Sequence, residues 1–421
     1  MKKLLGIICF SVLFLGMASC SSDDEENDDV DYKQTILLFM PWSGSSSSSG
    51  LLPYMKTNID SIYGAIISRG GLKESRLMLF LSESSSKSTL SEIVYNKSTS
   101  ACETKLVKEY SGHEYTTQGG LTGILNEVKS HAPSLNYALM VGCHGTGWTF
   151  KESWHNYPYN AKSMGWNGMN SENRNEDIPY ASYQGELTDM HTRFFGSVSD
   201  INTYSIDIPT FAQAIADAGM KMQYILFDDC YMANVEVAYE LRNVTNFLLA
   251  STSEVMAIGV PYKTMWSALA SSTPSYDKAV SAFNTFYRNY VMPYGTYVAI
   301  DCRKMEDLAV AMRDINAHYE LPDSVRKEIQ VLDGFDEAVF YDMGDYLKKL
   351  CTDSRAYSQV SSILASAIRS KCNTDQIYSY LYGTPRYITV NTFSGITISD
   401  PSLNEVALRG KEKTSWWHAT H

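Results

Sequence analysis

Tyr224-Ile225-Leu226-Phe227-Asp228-Asp229-Cys230-Tyr231-Met232-Ala233 is an apolar run that stops at two acids and a cysteine. An apolar run of this length suits a strand covered on both faces, the situation inside a parallel sheet. The pattern recurs at Asn136-Tyr137-Ala138-Leu139-Met140-Val141-Gly142-Cys143-His144-Gly145-Thr146-Gly147-Trp148, where the strand delivers a histidine followed by glycines. Working outward, strand-like runs occupy residues 35–40, 76–81, 136–142, 223–228, 247–251 and 297–302. Helical periodicity fills the intervals at 52–68, 119–131, 208–218, 235–242, 276–290 and 305–319. Strand and helix in alternation predict an α/β fold: a mostly parallel central sheet with helices on both faces, an αβα sandwich of three layers.

Two segments break the rhythm. Residues 43–49 form a Gly/Ser loop after the first strand, and residues 151–205 form a long insertion rich in Asn, Tyr, Ser and Gly. Loops this long are commonly functional or mobile. Beyond residue 321 the sequence turns helical again, then alternates over 386–399 like a hairpin or edge strands, and no internal repeat is present.

The chain has 421 residues, 44% hydrophobic and 19% charged, so it has apolar material for a large core and is not a disordered protein. The formal charge of −12 includes seven acids between Asp23 and Asp31; without residues 1–31, 40 acids face 33 bases, or −7. That balance offers no phosphate-binding surface, so nucleic acid is not an expected partner.

Residues 1–19 read as a secretory signal: Met1-Lys2-Lys3, an apolar stretch from Leu4 to Leu15, and Gly16-Met17-Ala18-Ser19 ahead of Cys20. The ending resembles a bacterial lipobox, which makes Cys20 the acylated N-terminus of the mature protein and a lipid bilayer its partner. Residues 20–33 then form an acidic tether, similar to the export signal of surface lipoproteins in some Gram-negative bacteria, and the expected location is the outer membrane or cell surface. A plain cleaved signal followed by a spacer is the alternative. Six of the eight cysteines remain in the folded part, sparse and without metal-type spacing, and are expected to be mostly free and buried.

At the two strand ends the chemistry is that of a nucleophile and its base. A thiol at the start of a helix has its pKa lowered, and a nearby histidine takes its proton. Asp228 and Asp229 also suit capping of the following helix. Cys143 reads as a packing residue, with a disulfide to Cys230 as the alternative.

His-Gly-x-Gly-Trp after one strand and Asp-x-Cys-x-Met after the next resemble the clostripain family of cysteine peptidases, in the caspase-like clan with gingipains, legumains and separases. Supporting matches are Ala250-Ser251-Thr252-Ser253-Glu254, Gly259-Val260-Pro261-Tyr262, Tyr341-Asp342-Met343-Gly344-Asp345-Tyr346 and Phe393-Ser394-Gly395-Ile396-Thr397-Ile398. The resemblance implies a caspase-like peptidase domain over residues 34–401 with a C-terminal tail at 402–421. It implies Cys230 as nucleophile and His144 as general base in a dyad needing no third carboxylate. The backbone N–H groups of Gly145 and Cys230 match the oxyanion hole, and Asp228 matches the acid that pairs with a substrate Arg or Lys before the scissile bond.

The partners implied are protein or peptide substrates. No cofactor is required for the chemistry; Ca2+ is allowed as a structural or activating ion, although no EF-hand spacing occurs and a site would draw on dispersed carboxylates. Relatives cut between His and Cys make Lys151, Lys162, Arg174 and Arg193 candidate processing points. The chain departs from the family pattern at Met40-Pro41-Trp42-Ser43-Gly44 and shows no second pocket acid around Val260-Pro261, so preference for a basic residue rests on Asp228. The competing readings are the same dyad with another preference, a binding lipoprotein on a peptidase scaffold, and glycan capture through Trp416-Trp417.

Overall fold

The computed structural model describes residues 32–43, 51–154, 195–196, 201–290, 293–379, 381 and 386–421. The signal, Cys20 and most of the acidic tether lie outside them, as do most of the Gly/Ser loop, Lys162, Arg174 and Arg193.

One nine-stranded sheet organises the domain. Its strands are β1 (Gln34–Met40), β2 (Ser75–Ser84), β3 (Lys87–Asn96), β4 (Ala101–Ser111), β5 (Asn136–Val141), β6 (Met222–Phe227), β7 (Thr245–Ala250), β8 (Thr296–Asp301) and β9 (Ile368–Asn373). The spatial order is β9-β8-β7-β6-β5-β1-β2-β3-β4. The five central strands are mutually parallel, and only β3 and β8 run against the other seven. Every residue of β1 is buried, as its unbroken Ile36-Leu37-Leu38-Phe39-Met40 run demands of a strand covered on both faces.

The helices sort into two packed groups. Leu52–Ser68, Tyr262–Leu269 and Tyr276–Arg288 contact one another, while Gln118–His131, Ile208–Asp217, Val235–Leu241, Met305–His318, Ser354–Ala367 and Ser415–Thr420 form the other group. This is the three-layer arrangement expected. Apolar spacing sets the buried faces: Met55, Ile59, Ile62 and Ile66 line one side of the first helix at intervals of three and four.

The sequence reading missed β3 and β4. Exposed β4 has only partly buried or exposed positions, with Glu103, Lys105, Lys108 and Glu109 along it, so it carries little apolar signal. Charges on an edge strand also discourage pairing with another chain. The alternating stretch near residue 386 resolves into two pieces: Arg386–Thr389 pairs with Gln376–Ser379, and Thr397–Ile398 pairs with Tyr341–Asp342.

Residues 402–421 are not a tail. They form helices Glu405–Gly410 and Ser415–Thr420, and Lys411 Nζ donates to the carbonyls of Asp400 (2.6 Å) and Ser402 (3.0 Å). Trp416 is fully buried with its ring edge-on to Tyr239 at 5.7 Å, and Trp417 stacks on His421, so the pair is packing and not a glycan platform. Among the described residues no helix is long and apolar enough to cross a membrane.

Candidate active site

The two strand ends singled out in the sequence are neighbours: β5 and β6 pair in parallel, with Val141 opposite Phe227. The residues just beyond them, His144-Gly145 and Asp228-Asp229-Cys230, therefore emerge side by side. Both sets border one cleft, whose other walls include Met40, Asn58 and the 254–257 segment.

Asp229 joins the two loops. Its Oδ1 accepts the N–H of Cys143 at 2.6 Å, while its Oδ2 is buried without a hydrogen-bond partner. Burial, reinforced by the neighbouring Asp228, pushes its pKa well up. Gly145 is needed for the approach: a Cβ there would lie 2.6 Å from the Cys230 carbonyl oxygen and 3.1 Å from the Cys230 nitrogen. With only hydrogen at that position, the histidine loop reaches the cysteine turn.

Cys230 is not at a helix terminus. The following helix, Val235–Leu241, starts later and is capped by Asn234, whose side chain accepts the N–H of Val237 at 3.0 Å. Both the helix-lowered thiol and the Asp cap are thus replaced: Asp228 and Asp229 serve other groups, and a seven-residue turn intervenes between strand and helix. Within that turn Tyr231 adopts a left-handed backbone, φ 60°, which costs about 1–2 kcal/mol for a residue with a side chain. It is held by its N–H on the Ser253 carbonyl (3.0 Å), by Asn234 Nδ2 on its own carbonyl (2.6 Å), and by its ring stacked on Phe340. No disulfide joins Cys143 to Cys230.

Asp228 lies in the same cleft, 9% exposed, with Oδ1 accepting the N–H of Val260 at 2.7 Å. Gly259 (φ +72°) makes the room, since a Cβ there would overlap Asp228 Oδ2 and lie 2.9 Å from Asn58 Nδ2. Tyr262 sets its hydroxyl near the carboxyl without closing a well-formed hydrogen bond. Desolvation outweighs these contacts and lifts the Asp228 pKa to about 7. The Val260 segment, where a second acid was sought, contributes an N–H instead. A carboxyl with a pKa near 7 is partly neutral at neutral pH, and a cation placed beside it would favour its charged form.

Among the described residues no group of three or more His, Cys, Asp or Glu is placed to hold a metal. Lys151 sits in a short turn, Lys151–Trp154, its N–H donated to Asp207 at 2.9 Å.

A profile of the Clostripain family matches residues 183–405, just over half of the chain, taking in Asp228 and Cys230 but beginning after His144. A secreted C11 cysteine protease from Bacteroides thetaiotaomicron, "iotapain", is 35% identical over 93% of this chain and 100% of its own, with a TM-score of 0.78.

The chain belongs to the clostripain family.

It is accordingly a cysteine-type peptidase. A clostripain from the same organism, in complex with peptide inhibitor BTN-VLTK-AOMK, is 43% identical over 52% of this chain and 96% of its own, TM-score 0.50. An inactive zymogen C11 protease from Parabacteroides distasonis shares the fold at 21% identity, over 92% of this chain and 98% of its own, TM-score 0.71. No curated protein matches. In this clostripain-family chain, sequence reasoning missed Asp229 as the loop joint and the Val255 amide beside Cys230; only Glu254, quoted as a supporting match, pointed towards the latter.

Proposed function

We propose that this clostripain-family enzyme is an exported, lipid-anchored endopeptidase that hydrolyses peptide bonds after Arg or Lys through Cys230 and His144. The observation carrying this reading is that one cleft is bordered by Cys230, His144, Gly145 and a buried carboxyl, Asp228, whose side-chain hydrogen-bond donor is a neutral backbone N–H.

Cys230 as thiolate attacks the scissile carbonyl carbon, forming a C–S bond while the carbonyl oxygen takes the negative charge under the N–H groups of Gly145 and Cys230. His144, protonated, gives its proton to the leaving amine as the C–N bond breaks. Water, deprotonated by His144, then cleaves the thioester and restores the thiol–imidazole pair. Asp228 pairs with the guanidinium or ammonium of the residue before the scissile bond. In support, the related clostripain is bound to an inhibitor whose peptide reads VLTK. The lipobox at Cys20 supplies the anchor, in keeping with a relative described as secreted. The chemistry needs no cofactor, and Ca2+ is tested as an activating ion.

The test is turnover of peptides with Arg, Lys, Asp, Asn or Ala before the scissile bond, with and without calcium, for wild type, Cys230→Ala and His144→Ala. Cleavage after Arg and Lys that vanishes in both variants is the expected result. Cleavage after another residue keeps the dyad and removes the role of Asp228. No cleavage, even after trypsin treatment, leaves a binding scaffold.

A further inference from the structure

The helix terminus expected to support an anionic sulfur is absent beneath Cys230, and a different donor faces it. The N–H of Val255 points at Cys230 Sγ from 3.3 Å, and the Val255 carbonyl oxygen lies 3.7 Å away, where it accepts from the protonated thiol. The donor is nearer than the acceptor, so the local backbone favours the charged sulfur. This N–H belongs to the Glu254–Val255 peptide, which is pinned through Glu254 from both ends. The hydroxyl of Tyr294 donates to the Glu254 carbonyl, polarising the same peptide and strengthening its N–H as a donor. The Glu254 carboxylate accepts, on Oε1, the hydroxyls of Tyr231 (2.7 Å) and of Ser379. Tyr231 follows the nucleophile directly and carries the left-handed backbone that shapes its turn. One buried carboxylate thus ties the turn that presents the sulfur to the amide aimed at it.

We propose that the Val255 amide holds the Cys230 sulfur in its thiolate form and that Glu254 is the positioning residue that aims it. This rests on the reading of Cys230 as nucleophile. Glu254 reaches the sulfur only through its neighbours, the Tyr231 hydroxyl it accepts and the Val255 N–H of its own peptide. Its own negative charge works in the opposite direction, disfavouring a nearby thiolate, so the two roles predict shifts of opposite sign.

The experiment follows the rate of iodoacetamide alkylation of Cys230 against pH, read on the Cys230 peptide by mass spectrometry, in the full-length enzyme and in Glu254→Ala, Glu254→Gln and Tyr231→Phe. Positioning predicts that Glu254→Ala moves the midpoint up by about one pH unit and lowers kcat about tenfold with KM little changed. Glu254→Gln, whose amide oxygen still accepts both hydroxyls, recovers most of the loss. Tyr231→Phe keeps the ring on Phe340 and shifts the midpoint the same way by less, which keeps the test open should Glu254→Ala fail to fold. A midpoint that falls in both Glu254 variants, or one that stays put, overturns the proposal. Full turnover by Cys230→Ala overturns the parent reading instead, so the two failures are distinguishable.

Discussion

If Asp228 is the pocket acid proposed above, acidifying this enzyme should cost it its preference for a cation through that one residue. Burial lifts the Asp228 pKa to about 7 in the empty pocket, so its ionised fraction falls from about 0.9 at pH 8 to about 0.01 at pH 5. The ratio of kcat/KM for an arginyl peptide over its citrulline isostere should fall by about 50-fold, the neutral form of Asp228 setting the floor. On the proposed dyad both peptides use Cys230 and His144, so the titration of those groups cancels in the ratio. Because kcat/KM reports the free enzyme, and a bound guanidinium pulls Asp228 back to its charged form, kcat for arginine should change less steeply. Asp228→Asn should flatten the ratio and lower it about 100-fold at pH 8, since leaving a desolvated cation unpaired costs about 3 kcal/mol. A wild-type ratio that is level from pH 8 to 5, or unaltered by Asp228→Asn, would refute the argument.

Stability provides a check without substrate. The folded-state pKa of Asp228 is above the unfolded value near 4, so the folded form binds this proton more tightly. That contribution is fully present below about pH 4 and is lost as pH rises through about 7. Asp228→Asn should therefore melt above wild type at pH 8, with the advantage shrinking towards pH 5.

Three further outcomes follow from close packing. Gly145→Ala should reduce kcat by about 100-fold or more with a smaller effect on KM, because its Cβ meets the backbone of Cys230 where the developing oxyanion would sit; steady-state kinetics checks this. Gly259→Ala should lower the arginine-to-citrulline ratio and destabilise the fold by about 1–2 kcal/mol, since the added methyl overlaps Asp228 Oδ2 in a left-handed backbone; kinetics and denaturant titration measure the two effects. Trp416→Ala should cost about 3–5 kcal/mol by denaturant titration, as expected for a fully buried tryptophan and not for a tail residue.

The parts of this protein legible in its sequence are those governed by continuous burial. The runs that became β1, β5 and β6 are apolar because helices cover both faces, and their ends carry the residues that meet at the cleft. Strand β4 was hidden because its edge position lets charge replace periodicity. The helix after Cys230 was legible at 235–242, but Cys230 was set at its start because Asp228 and Asp229 have the composition of a cap, whereas Asn234, also a good cap, performs it after a turn. The roles of Asp229, Val255 and Glu254 depend on contacts between segments far apart in the chain, among them an amide with no sequence signature.

Asp228, Asp229 and Glu254 surround, on one cleft, a cysteine proposed to act as an anion. Two of these acids relieve the conflict through burial, which raises Asp228 to about 7 and Asp229 well above its ordinary range. At pH 8, however, Asp228 in the free enzyme is mostly ionised and opposes the thiolate. A cation in the pocket cancels that charge, so it should make Cys230 more nucleophilic as well as anchor the substrate. Methylguanidine, small enough to fill the pocket without bridging to the scissile position, should therefore accelerate alkylation of Cys230 by iodoacetamide at pH 8. Methylurea, of similar shape and no charge, should not, and Asp228→Asn should abolish the difference. Equal slowing by both compounds would mean that occupancy only obstructs the sulfur, and that the pocket carboxyl contributes binding alone.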